Sequence, residues 1–181
     1  ASDVYKRQKK WVGLNKRIEW LLVDICESFI VIASFVLGWL YQLNNKYIIG
    51  LNDVLSDRLK YIAQTMSTYN IKLWGQYIEE HGNGGSIIAK DNYFFIDNSF
   101  VRCMYEYGAI VFVLVIVLIF MAQKKMLDNE KYIMCLAFFI VTIASFAEHH
   151  LLEIAYNPFI FSVFACMSNN DKVIMEEKRI C

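Results

Sequence analysis

The run GAIVFVLVIVLIFMA, from Gly108 to Ala122, contains neither a charge nor a proline. With its flanks, over about residues 101–122, it is long enough for one helix to cross the ~30 Å hydrocarbon core of a bilayer. Three further segments read the same way. Residues 18–41 contain LLVDICESFIVIASFVLGWLY, bracketed by Trp20 and by Trp39 with Tyr41 where aromatic belts would lie. Residues 132–146 are YIMCLAFFIVTIASF, and residues 151–167, LLEIAYNPFIFSVFACM, form a shorter run interrupted by Asn157-Pro158. With 57% hydrophobic residues the chain exceeds the roughly 45–50% of a soluble domain. The expected fold is all-α: a polytopic membrane protein with about four transmembrane helices in this chain and a long helical loop, 42–100, after the first.

The charges set an expected orientation. Lys9, Lys10, Lys16 and Arg17 precede the first span, Lys124, Lys125 and Lys131 lie between the second and third, and Lys172, Lys178 and Arg179 follow the fourth. All three basic clusters fall on one side of a four-helix arrangement. By the positive-inside rule this makes the N-terminal flank, the 123–131 loop and the C-terminus cytoplasmic in a bacterial plasma membrane. The 42–100 loop and the Glu148-His149-His150 turn are then extracytoplasmic. Net charge is zero, so no basic field invites nucleic acid. Cys26, Cys103, Cys135, Cys166 and Cys181 are scattered without a CxxC pair, which argues against a thiolate metal centre. The first eight residues, ASDVYKRQ, resemble the translated end of a sequencing adapter. Residues 9–181 are therefore read as the C-terminal part of a longer protein.

Within the loop, LNDVLSDRLKYIAQTM (51–66) gathers Leu51, Val54, Leu55, Leu59, Ile62 and Met66 on one helical arc, and Arg58 falls inside that arc. Two roles suit it. Its stem can pack on apolar neighbours while the head snorkels or pairs with a carboxylate, or the guanidinium can face a cavity at the lipid boundary, where its planar fork suits a diphosphate. The remaining loop is aromatic-rich, with Trp74, Tyr69, Tyr77 and Tyr93 able to line a sugar groove or to anchor at the interface, and GNGGS reads as a flexible turn. A structureless loop of this length would be unusual, so a folded cap is expected.

Other polar residues also carry two readings. Asp24 and Glu27 share a face of the first span, near its basic flank, where a structural role is expected rather than proton relay. Asp97-Asn98-Ser99 suits a helix N-cap, or supplies a carboxylate to take a proton from a sugar hydroxyl. His149 and His150 form a polar helix end or offer one base or phosphate partner. Adjacent residues on a helix point about 100° apart, which makes them a poor metal pair.

LNDVLSDRLKYIAQTMSTYNIKLWGQYI, YFFIDNSFVRCMYEYGAIVFVLVIVLIF and AEHHLLEIAYNPFIFSVFA together resemble the C-terminal half of bacterial polysaccharide repeat-unit polymerases, the Wzy family. The resemblance rests on the L-S-x-R-L helix at Leu55–Leu59, Trp74-Gly75, Ile96-Asp97-Asn98-Ser99-Phe100, Glu106-Tyr107-Gly108 and Asn157-Pro158-Phe159. It implies a glycosyltransferase that needs no metal or other cofactor and joins undecaprenyl-diphosphate-linked oligosaccharides of a capsule or exopolysaccharide at the outer face of the membrane. A chain-length regulator and a flippase are the implied partners. The family's outer-loop arginine falls on Arg58, with Asp97, His149 and His150 as catalytic candidates and Trp74, Asn98 and Arg102 beside Arg58 as candidate substrate contacts. O-antigen ligases, which are related, carry His-Asn where this chain has Asp97-Asn98. A ligase-like transferase and a non-enzymatic transporter or flippase subunit are the alternatives.

Overall fold

In a computed structural model the chain is helical, and residues 2–81, 93–129 and 131–153 are described, the backbone alone for 2–17 and 19. Helix α1 runs Ser2–Gln42, α2 Lys46–Val54, α3 Arg58–Thr68, α4 Ser99–Arg102, α5 Ala109–Asp128 and α6 Tyr132–Ala144. Cys103–Tyr107 continues α4 as one π-turn, and a 3-10 turn covers His150–Leu152. The GNGGS segment and nearly all of the expected fourth span, from residue 154 onward, lie outside the described residues.

Two helices, over Trp20–Gln42 and Ala109–Asp128, are long and apolar enough to cross a membrane, while the apolar helix Tyr132–Ala144 is shorter. At 1.5 Å per residue α5 is about 30 Å long, the thickness of a hydrocarbon core. The outward faces are apolar: Phe29, Ile32, Leu114, Leu136 and Ile140 are all more than half exposed, a surface suited to lipid. Inward, Phe100, Ile119, Met126, Phe138 and Leu151 form a closed core among α1, α4, α5 and α6. A buried polar chain crosses it, in which Gln123 Nε2 donates to Glu27 at 2.7 Å and Cys135 Sγ donates to Gln123 Oε1 at 2.9 Å. Glu27 is thus held inside the bundle by an amide from α5.

The second long helix begins at Ala109 rather than at 101 because Gly108 (φ +98°) breaks the chain there. A helix start normally leaves its first N–H groups without partners. Here another stretch of chain supplies them: Ala109 N–H donates to the Lys72 carbonyl (3.0 Å) and Ile110 N–H to that of Leu73 (3.3 Å). The same stretch returns the bond, from Gln76 N–H to the Glu106 carbonyl at 3.0 Å.

The loop folds into a cap. Leu59, Ile62, Ile78, Phe94, Ile96, Val101 and Tyr105 make a second core on the C-terminal half of α1, and Gln42 Nε2 donates to the Ala63 carbonyl at 2.8 Å. The single helix expected over 51–66 is two helices. Chain direction changes at Leu55–Asp57, where Ser56 (φ +52°) and Asp57 (φ +65°) are left-handed. Asn52 causes this: buried, it donates to Asp57 Oδ1 (2.8 Å) and accepts from Lys60 N–H (3.0 Å), so an asparagine side chain displaces the helical ladder. Leu51 and Val54 consequently point outward, at 37% and 78% exposure, and Arg58 becomes the first residue of α3.

Candidate functional site

The site is assembled at the end of the bundle where α6 finishes. Ser99 N–H donates to the Ser145 carbonyl at 2.9 Å, its hydroxyl donates to the Glu148 carbonyl, and Leu151 N–H returns a bond to that hydroxyl at 3.2 Å. These bonds dock the 145–151 turn onto α4. The start of α3 packs beside them and brings Arg58 to a residue 90 positions further along the chain: its Nη2 donates to Glu148 Oε1 at 2.8 Å. Its Nε lies 3.6 Å from Asp97 Oδ2. Arg58 therefore pairs with carboxylates, the plainer of its two expected roles. The bond to Glu148 uses one of the five donors of the guanidinium, and the side chain stays 30% exposed.

Asp97 is partly buried, and burial is the main cause holding its carboxyl above the ordinary aspartate range. Arg58 opposes that rise, Glu148 adds to it, and His149 and Arg102 oppose it. A carboxylate of raised basicity beside a fixed cation can accept a proton while the cation meets an anion. His149 packs edge-on against Phe95, ring centroids 5.1 Å apart, and its Nε2 lies 3.1 Å from Glu153 Oε1. His150 Nδ1 lies 3.4 Å from Glu153 Oε2. All four expected catalytic candidates thus share one neighbourhood. Glu148, read in sequence only as part of the histidine turn, pairs with Arg58, and Glu153, not singled out there, pairs with both histidines.

The other expected substrate contacts are elsewhere or occupied. Asn98 is fully buried as the N-cap of α4: Oδ1 accepts from Phe100 N–H (3.0 Å) and Val101 N–H (2.9 Å), and Nδ2 donates to Ser34 Oγ (3.0 Å) and the Phe146 carbonyl (2.8 Å). Its capacity is spent on the fold, so it has nothing left for a substrate. Asn98→Ala is expected to cost about 2–4 kcal/mol, the loss of a cap plus stranded partners. Thermal unfolding in detergent would show this as a clear drop in midpoint. Arg102 is likewise committed to the fold: Nη2 donates to both Glu80 oxygens (2.6 and 2.9 Å), Nη1 to Glu106 (3.1 Å) and Nε to the Ile96 carbonyl (3.0 Å), with Phe95 under its plane. It ties the cap to α4. Trp74 is 83% exposed, on the strip that crosses the start of α5.

Beside the cluster lies a cleft of about 550 Å³ lined by Lys60, Gln64, Tyr69, Glu79, His81 and Tyr93, among others. Tyr93 is close enough to Asp97 and Arg58 for both charges to act on its hydroxyl, although burial is the main reason its pKa is raised. It therefore connects the cleft with the charged cluster. No protein-family model, curated protein or solved structure matches the chain.

Proposed function

We propose that the chain carries the outer-loop part of a glycosyltransferase that joins undecaprenyl-diphosphate-linked repeat units into a surface polysaccharide. This is the activity implied by its resemblance to Wzy-type polymerases. The observation that supports it best is the pairing of Arg58 with Asp97, a permanent cation beside a carboxylate of raised basicity, next to a cleft walled by tyrosines and polar side chains. In this proposal the 42–100 loop faces outward and the basic flanks lie in the cytoplasm.

The acceptor's hydroxyl oxygen attacks the anomeric carbon of the donor, the bond from that carbon to the diphosphate breaks, and Asp97 takes the hydroxyl proton. Arg58 meets the charge left on the diphosphate, through donors that the Glu148 bond does not use. Tyr69 and Tyr93 offer faces on which pyranose rings stack, and Lys60, Gln64 and Glu79 offer hydrogen bonds to hydroxyls. Nothing in this sequence requires a metal at the diphosphate.

Asp97→Asn is expected to lower transfer about 10²–10⁴-fold, the usual worth of a general base. In the unmodified protein the same role predicts that activity falls as pH drops through a pKa above the ordinary aspartate range, because the base must be ionised to accept a proton. Assay of polymer formed against pH by the protein from its complete reading frame checks both. Asp97→Asn activity within a few fold of the parent would remove Asp97 from the mechanism.

A further inference from the structure

We propose that His149, His150, Glu153 and Glu148 bind a divalent transition-metal ion of the zinc class. The inference stands apart from the glycosyl-transfer proposal and needs none of it. Two successive positions within a helix would splay the histidines, but His149 precedes the 3-10 turn that His150 begins, and the two rings lie 4.4 Å apart and tilted by 48°. One donor atom each from Glu148, His149 and His150 falls within 4.8 Å of the others.

Glu153 then closes the set. His149 Nε2 to Glu153 Oε1 is 3.1 Å, His150 Nδ1 to Glu153 Oε2 is 3.4 Å, and His150 Nε2 to Glu148 Oε2 is 4.0 Å. Donors bound to zinc at about 2.0–2.1 Å in a tetrahedron stand about 3.3 Å apart, which the separations of His149 Nε2 and His150 Nδ1 from Glu153 match. An imidazole gives one nitrogen to an ion, so Glu148, which faces Nε2 of His150, joins them by turning its side chain toward Nδ1. A small cavity of about 90 Å³, lined by Arg102 as well as by His149 and Glu153, adjoins the set. Mixed imidazole and carboxylate donors suit zinc among the common metals.

Charge favours the same ligand. Around the turn five carboxylates, those of Glu80, Asp97, Glu106, Glu148 and Glu153, face two guanidiniums, those of Arg58 and Arg102. Arg102 is held by Glu80 and Glu106, which together outweigh its charge, and three carboxylates face one guanidinium on the histidine side. A dication there offsets the excess. It also draws on Glu148, the carboxylate that holds Arg58, and so leaves the guanidinium freer to meet an anion. The ion acts on the protein by holding the turn, and it takes both imidazoles out of contention as bases.

The test titrates the metal-stripped full chain in detergent with Co²⁺ alone, then displaces it with Zn²⁺. The expected result is one Co²⁺ per chain with tetrahedral visible bands and no thiolate charge-transfer band. Binding should be weakened about tenfold or more in His149→Ala and in Glu153→Gln. Glu153→Gln keeps the size of the side chain, so it decides the matter if the alanine variant fails to fold. Absence of saturable binding, a thiolate band, or undiminished binding in Glu153→Gln would overturn the site. No glycan enters the measurement, so its failure and that of the transferase proposal are separable.

Discussion

Gly108→Ala is expected to destroy the joint between the cap and the long helix α5. Gly108 sits at φ +98° and ψ 164°, a region of backbone space that is essentially reserved for glycine. A Cβ there would run into the Gly75 nitrogen and the Leu73 carbonyl oxygen, which are backbone atoms that no rotamer change can move. Gly75, itself at φ +81°, faces the Glu106 and Tyr107 backbone in the same way. The two glycines are where residues 72–76 cross the start of α5, and three backbone hydrogen bonds between these two segments depend on that closeness. Conformational strain of ~1–3 kcal/mol and the loss of those bonds bring the expected cost to about 3–5 kcal/mol, a large part of a typical domain's stability. Limited proteolysis would show the cap cut rapidly in the variant. Gly50→Ala, where a Cβ meets nothing within 4 Å, should leave the protein unchanged or slightly more stable.

The second large effect concerns Arg58. Arg58→Ala is expected to abolish polymer while lipid-linked single repeats accumulate, with a loss of about 10²–10³-fold or more from removing the group that meets the leaving charge. Two physical consequences follow from one substitution: in the proposed transfer the diphosphate loses its cation, and Asp97 with Glu148 is left without the charge that opposes their mutual repulsion. Arg58→Lys separates them. Lysine keeps the positive charge for the carboxylates but loses the planar fork, so it should retain the folded turn and still fail in transfer. The measurement is gel separation of polysaccharide beside extraction of the lipid-linked repeat. A Lys variant that makes normal polymer would end the claim that the fork is used.

Much of the architecture was legible in the apolar runs. Trp20–Gln42 and Ala109–Asp128 are long apolar helices without proline, and their lengths match a bilayer. The break at Leu55–Asp57 was not legible, since periodicity weighs side-chain greasiness and ignores what a buried asparagine such as Asn52 does to the backbone. Arg58 was marked as anomalous by its place on the apolar arc. Its partner Glu148 lies 90 residues away, and no local pattern predicts an ion pair that tertiary packing creates. Asn98 carried both a cap and a ligand reading in sequence, and its bonds to the α4 N–H groups, Ser34 and Phe146 select the cap, whereas Arg102 is seen as structural only through Glu80 and Glu106. The histidine pair was judged by helical geometry, but His149 lies outside the turn that His150 begins, and their rings meet.

The central claim is that Arg58 and Asp97 serve transfer between lipid diphosphates. It is tested most directly with the protein from its complete reading frame, purified into vesicles and supplied with undecaprenyl-diphosphate-linked repeat units alone. A ladder of lipid-linked polymer, absent with Arg58→Lys and with Asp97→Asn although both variants are folded, is the predicted result. Unchanged single repeats with the parent protein, or equal ladders with all three, would contradict it.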